Sequence, residues 1–182
     1  MIHNLKEELS GTLCKHFAEE FAIRIMAEPE NFPELYALVF DDNPKTAWRA
    51  AWVCEKISCR IPFWFMDKRS ELMRQIMQST NHGSKRSLLS ILLVLPVKEP
   101  ISVEFLNFCL DRMLSPQEPI AIQALCMKMG LKLCKKEPEL LPEYKYLLEN
   151  AEPEFYSKGV QSVIRNILKR LNSKNSLIPI TI

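Results

Sequence analysis

Glycine is scarce in this chain, with four residues in 182 against twelve prolines. Phosphate-cradling loops and the tight turns of α/β enzymes consume glycine, so this balance argues against them. Histidine is scarcer still: His3, His16 and His82 are scattered, and none of the six cysteines forms a Cys-x-x-Cys pair. Zinc sites are built from closely spaced ligand pairs, so neither a metal nor any other cofactor is expected. Long apolar runs are missing too. The longest, Leu88 to Val97, contains Ser90 and Pro96 and falls short of the roughly 20 residues a bilayer demands, so no membrane partner is expected. Ile2 to Glu8 is polar and acidic, not the basic flank and apolar run of a secretory signal. Net charge of one sign is also lacking: the balance is +2, and 47% of residues are hydrophobic. That excludes intrinsic disorder and suits one domain with a sizeable core.

The cysteines stand at 14, 54, 59, 109, 126 and 134. An even count suggests disulfides only in a small secreted chain, and this one is neither small nor signal-bearing. Cys54, Cys109 and Cys126 fall within apolar helical patterns, where a free thiol acts as a small hydrophobe. They are read as buried structural thiols in a reducing cytoplasm.

The residues that are present read as helix almost throughout. Pro33 sits in the first turn of a helix starting at Phe32, where a missing N–H costs nothing. Asn43-Pro44 gives an N-cap and first residue for a helix to about Arg60, and Ser115-Pro116 repeats that grammar ahead of a helix to about Lys136. Pro62, Pro100, Pro138 and Pro153 look like helix starts. Strand patterning is confined to the tail Leu177 to Ile182, where Pro179 argues against a central strand.

A repeat underlies this pattern. Pro62, Pro100 and Pro138 are 38 apart, and Arg49, Arg86, Gln123 and Gln161 follow at 37, 37 and 38. Each of that column is followed by a small residue (Ala50, Ser87, Ala124, Ser162) and then by two mostly apolar ones. Leu35, Leu72, Cys109 and Tyr146 hold the matching place in the preceding helix. A period of this length marks stacked supersecondary units that share a core. The expected hairpins are 32–40 with 44–60, 63–79 with 83–95, 101–114 with 116–136, and 139–151 with 153–172. In domain terms the repeats are about 31–60, 62–95, 100–136 and 138–172, with 1–28 an N-terminal cap, either a single helix or a helix pair broken around Gly11, and 173–182 a tail.

Asp42-Asn43-Pro44-Lys45-Thr46-Ala47-Trp48-Arg49-Ala50-Ala51-Trp52 resembles a HEAT repeat. An Asn in the turn is followed six residues later by Arg, then by alanines and a larger apolar residue. The later copies keep the period but less of the motif. The resemblance implies an all-α fold, a right-handed α-α superhelix of about four stacked helical hairpins with an N-terminal capping helix. It also implies a non-catalytic scaffold that binds other macromolecules. In such stacks the Arg49 column either forms a ladder of hydrogen bonds to loop carbonyls and acidic turn residues or faces a ligand.

Charge is segregated between the helix layers. The second helices of the four hairpins carry 14 basic and three acidic residues, a net of +11, which leaves −9 on the remainder. Helix-end dipoles account for part of this, since Arg60, Lys135, Lys136, Lys169 and Arg170 lie near C-termini. If that layer is concave, a basic groove forms, for which Arg49, Lys56, Lys85, Arg86, Gln123, Lys128, Lys132, Gln161 and Arg165 are the candidate residues. A surface of one sign concentrates partners of the other. The partner expected is a protein or other acidic macromolecule, with nucleic acid as the alternative.

Enzymatic readings find little support. HEAT-like alkylpurine DNA glycosylases use a basic groove with an acid and aromatics, and Trp48 and Trp52 on a basic helix superficially fit. But no second helix carries an Asp, and both tryptophans read more simply as core. Asn81-His82-Gly83-Ser84-Lys85 resembles part of the serine loop of the fumarase and adenylosuccinate lyase superfamily, yet the Met-Pro-x-Lys-x-Asn continuation is absent. His82-Gly83-Ser84 therefore reads as a turn and N-cap. Phe63-Trp64-Phe65-Met66 reads as helix-start core, or as a partner patch where exposed.

Overall fold

The computed structural model describes residues 5–11 and 14–173, and all regular structure among them is helical. Ten α-helices follow one another: α1 (Leu5–Ser10), α2 (Lys15–Ala27), α3 (Phe32–Ala37), α4 (Pro44–Ser58), α5 (Arg69–Gln78), α6 (His82–Val94), α7 (Val103–Met113), α8 (Ile120–Cys134), α9 (Leu141–Glu149) and α10 (Lys158–Asn172). Single 3-10 turns at Pro29–Asn31, Leu38–Phe40, Pro62–Phe65, Pro138–Leu140 and Pro153–Phe155 link or extend them. No helix of the described residues is long and apolar enough to cross a membrane. The tail at 177–182, read above as the one strand-like segment, lies outside the described residues.

The chain divides into two compact units between Leu95 and Pro96. In the first, α4 is the hub, packing against α1, α2, α3 and α6, while α5 packs on α6. Its alanines explain the fit: Ala47, Ala50 and Ala51 are buried beside Val53, Cys54 and Ile57, so neighbouring backbones can approach closely. In the second unit, α8 packs against α7, α9 and α10. Its sequence is apolar around most of its circumference, with Ile122, Cys126, Met127, Met129, Leu131, Leu133 and Cys134 all buried, as expected of a central helix.

Helix starts follow local chemistry. The Asn43 side chain accepts from the N–H groups of Lys45 and Thr46, as its sequence context predicts. Ser102 accepts from Phe105 N–H and Ser157 from Val160 N–H. Several expected boundaries move. The helix placed from Pro116 begins at Ile120. Pro119 is the cause, because a proline pushes the residue before it out of the helical region and thereby breaks the run. His82-Gly83-Ser84 is not a turn and cap but the first turn of α6, capped by Asn81, which accepts from Ser84 N–H. Pro100 starts no helix; α7 opens three residues later. Prolines at 62, 138 and 153 open 3-10 turns, so helices expected from 63 and 153 are interrupted, with α5 starting at Arg69 and α10 at Lys158. Of the two readings of the N-terminal segment, the structure has the helix pair, α1 and α2, parted near Gly11.

The apolar column slips in its last copy. Leu35, Leu72 and Cys109 are buried, but Tyr146 is 64% exposed. Tyr144 takes the inward place and donates its hydroxyl to Met127 O at 2.7 Å. Two residues are about 200° apart on a helix, so Tyr144 and Leu148 face the core and Tyr146 faces away.

Candidate functional site

Three residues of the four-residue column are carbonyl clamps. Arg49 is buried, and its guanidinium donates to Leu9 O and Gly11 O, 40 and 38 residues upstream. Those carbonyls lie at the C-terminal end of α1, where the helix leaves acceptors unmatched and carries partial negative charge. Gln123, also buried, donates to Ser115 O in the turn before its own helix. Gln161 does the same toward Pro153 O at 2.8 Å and Tyr156 O at 2.9 Å. Arg86 instead meets the Glu55 carboxylate of α4 at 3.6 Å.

The other candidate residues separate by burial. Lys85 is buried at 7% exposure. Lys56, Lys128 and Lys132 are half-buried, and Arg165 is exposed. With Arg49, Lys85 and Gln123 inside, the exposed cations concentrate on α10, where Lys158, Arg165, Lys169 and Arg170 are all exposed and no acid is present. Its other face buries Val160, Ile164 and Ile167 at i, i+4 and i+7, which turns the charged side outward. Lys128 and Lys132 likewise share one face of α8, four residues apart.

The tryptophans are tied to packing in the first unit. Trp48 and Trp52 are half-buried and stack on each other, 6.2 Å between centroids and 1° between planes. Trp48 also lies against Gly83 of α6: a Cβ there would stand 2.4 Å from its Nε1. The Phe63 to Met66 run divides. Phe65 is fully buried, Trp64 half-buried, and Phe63 68% exposed. Phe63 and Trp64, together with Phe32 and Tyr36, border an open cavity of about 440 Å³. Sequence reasoning singled out the aromatic run but not the cavity, because Phe32 and Tyr36 arrive from a different helix.

All six cysteines are free; Cys54, Cys109, Cys126 and Cys134 are buried and Cys14 and Cys59 exposed. Burial raises the Cys54 thiol well above its usual range and pushes Cys134 up to about 11. Cys109 is raised by its hydrogen bond with Cys126 and by burial. Buried thiols of this kind are poor nucleophiles, since the thiolate is the reactive form. Among the described residues no group of three or more His, Cys, Asp or Glu could hold a metal ion.

Comparison with known proteins agrees with the repeat. A family model described as a HEAT repeat domain matches residues 5–171. No curated protein and no solved structure matches the chain.

Proposed function

The chain belongs to the HEAT repeat domain family, and from that premise we propose that it is a non-catalytic scaffold that docks an acidic protein surface on its basic helix faces. The finer architecture read from the period, a right-handed superhelix of about four hairpins with the basic layer concave, belongs to the same proposal. The observation that carries it is the outward face of α10, four exposed cations with no acid on the helix. Stability gives little reason to gather like charge in this way, because exposed charges contribute little to folding wherever they sit and like charges repel. Lys128 of α8, which packs on α10, is the candidate residue that extends this surface within the second unit. Arg49, Lys85 and Gln123 are better explained by their burial.

A nucleic-acid partner would use the same cations through phosphate contacts that read little sequence. One experiment separates the two. Arg165, Lys169 and Arg170 are changed together to Glu in the full chain, and binding to heparin, to duplex DNA and to a polyglutamate-tagged carrier protein is measured across salt. The expected result is a retained melting temperature, loss of carrier binding, and weak DNA binding throughout. DNA binding that is strong in wild type and falls by about 10³ or more between roughly 50 and 200 mM salt would favour nucleic acid. Carrier binding unchanged by the triple reversal would remove α10 from the site.

A further inference from the structure

From Phe155 onward the chain carries charge of one sign only. No Asp or Glu follows Glu154, while Lys158, Arg165, Lys169, Arg170 and Lys174 are all cationic. A serine stands at the end of the basic face of α10. Ser173 is the C-cap of that helix and is exposed, with its backbone turned to the extended region at φ −76° and ψ 131°. Its N–H donates to Lys169 O at 3.1 Å and its hydroxyl to Arg170 O at 3.0 Å. The hydroxyl therefore lies one helical turn beyond the two cations, at the spacing that puts residues on one side of a helix.

An arginine three residues before a serine occurs at two places in the chain, Arg112 with Ser115 and Arg170 with Ser173. Their settings differ. Ser115 is held in the turn between α7 and α8: its carbonyl accepts from Glu118 N–H at 3.1 Å and from the Gln123 amide, and its hydroxyl donates to Gln117 at 2.9 Å. Arg112 is itself drawn to the Glu118 carboxylate, 3.7 Å away. An enzyme that must draw this serine into its cleft would have to open the whole turn. Ser173 asks for less, because only the last bonds of α10 must fray, and helix ends open at little cost. Nor does its hydroxyl hold a helix start, as Ser157 does at the other end of α10 by accepting from Val160 N–H.

We propose that Ser173 is a phosphorylation site, read by a kinase through Lys169 and Arg170, and that its phosphate cancels the basic end of α10. The proposal rests on the reading of α10 as the docking face for an acidic partner and adds the regulation of that face. In the step, Ser173 Oγ attacks the γ-phosphorus of ATP. The Oγ–P bond forms as the bond to the bridging oxygen of the departing ADP breaks, and the hydroxyl proton passes to a carboxylate base on the kinase. The product carries about −1.5 to −2 charges at neutral pH and three acceptor oxygens. One turn from Lys169 and Arg170, it takes them in charge-assisted hydrogen bonds, while the carbonyl end of α10, itself partly negative, turns it toward those cations. Two of the four exposed cations are then occupied, and the anion itself repels an acidic partner.

The test incubates the full chain with ATP, magnesium and a kinase catalytic domain that selects arginine three residues before its serine, and maps the phosphate by mass spectrometry. Phosphorylated and untreated protein are then compared on a heparin column and against the polyglutamate-tagged carrier. The expected result is phosphate on Ser173, incorporated about tenfold more slowly in Arg170→Ala. Phosphorylation should bring earlier elution from heparin and carrier binding weakened by about tenfold, both restored by a phosphatase. Ser173→Ala loses only an exposed hydroxyl, so it should keep the circular dichroism and binding of the untreated wild type and stop responding to the kinase. Phosphate on Ser115 in place of Ser173 would overturn the proposal. So would a Ser173 phosphate that leaves heparin elution unchanged, or that leaves unchanged the binding of a carrier the untreated protein holds. Heparin elution that shifts on phosphorylation while the carrier binds in neither state would support the modification and remove the acidic-protein reading of α10 instead.

Discussion

The two units fill the same repeat column with different residues: the first holds Arg49 and Arg86, the second Gln123 and Gln161. In three of the four positions the side chain captures carbonyls left open by a loop or helix end. The difference is reach. Each glutamine serves the turn just before its own helix, eight or five residues away. Arg49 crosses to the end of α1, about 40 residues back in sequence. The first unit has an extra helix pair to hold, α1 and α2, and only a long, multiply donating side chain can anchor it from α4. The glutamines do a local job for which length and charge are unnecessary. Three of the four column residues are thus internal clamps, and Arg86 pairs with the Glu55 carboxylate instead.

The largest expected effect sharpens that contrast. Arg49→Ala strips the donors from two carbonyls and empties a buried site, and should destabilise the protein by about 3 kcal/mol in chemical denaturation. Gln123→Ala orphans one carbonyl and should cost about 1 kcal/mol. Arg49→Gln is the informative variant. If reach is what matters, it loses most of what Arg49→Ala loses. Near-wild-type stability for Arg49→Gln would mean that the column needs only an amide and that the units differ by accident.

Glycine gives the second contrast. Each unit has one glycine against an aromatic ring. A Cβ on Gly83 would stand 2.4 Å from Trp48 Nε1 and 2.5 Å from its Cδ1, whereas one on Gly130 would stand 3.0 Å from Tyr144 Cε2. Trp48 is stacked on Trp52, so a shift of its ring away from Gly83 disturbs that pair. Gly83→Ala is therefore expected to cost about 2 kcal/mol, the usual price of overpacking. At Gly130 a tight contact opposes a helix-propensity gain of roughly 1 kcal/mol, so Gly130→Ala should fall within about 1 kcal/mol of wild type. Equal losses would show that the α4–α6 contact is no tighter than the α8–α9 contact.

These contrasts mark what could be read in the residues. The helical class, the Asn43 cap, the break near Gly11 and the burial of Cys54, Cys109 and Cys126 all follow from local rules, and local rules were enough. The boundaries that moved did so where two local rules compete: Pro116 offers a helix start and Pro119 vetoes it; Asn81 and Ser84 both can cap, and the one followed by a complete first turn does. The Tyr146 to Tyr144 slip comes from a short helix whose facing is set by Leu148 rather than by the 37-residue period. The site was less legible. Burial of Lys85 and the two-carbonyl clamp of Arg49 depend on elements far apart in sequence, and periodicity says nothing about which face of a charged column is covered. The aromatic cavity needed α3 and the Pro62 turn to meet, which no single segment announces.

Thiol chemistry distinguishes the units without any substitution. Both exposed cysteines, Cys14 and Cys59, belong to the first unit, and all three cysteines of the second are buried. A colorimetric thiol reagent near neutral pH should titrate two thiols quickly and the remaining four only as the protein opens. Because Cys54 is the one buried thiol of the first unit, peptide mapping of the slow phase reports which unit opens first. Rapid labelling of Cys109, Cys126 or Cys134 in the native protein would show the core of the second unit to be more accessible than its packing implies.

The smallest effect concerns the ion pairs that help Arg49 hold α1. Lys6 Nζ donates to the Asp41 carboxylate at 2.6 Å, and Glu8 pairs with Arg24 of α2. The Lys6 contact, with a further hydrogen bond from Asn43 N–H, holds the Asp41 carboxyl below its usual range. A carboxyl lowered by folding stabilises the native state above its unfolded pKa, near 3.9, and loses that contribution as pH falls through the folded value. Lys6 is half in solvent, so screening keeps the effect small. Asp41→Asn keeps an acceptor for Asn43 N–H and removes only the charge. It should therefore melt slightly lower than wild type at pH 7, and the gap should close as pH drops below about 4. High salt at pH 7 should close it as well, because screening weakens an exposed pair. A gap that persists in acid would mean that Asp41 acts through the turn it shares with Asn43 rather than through Lys6.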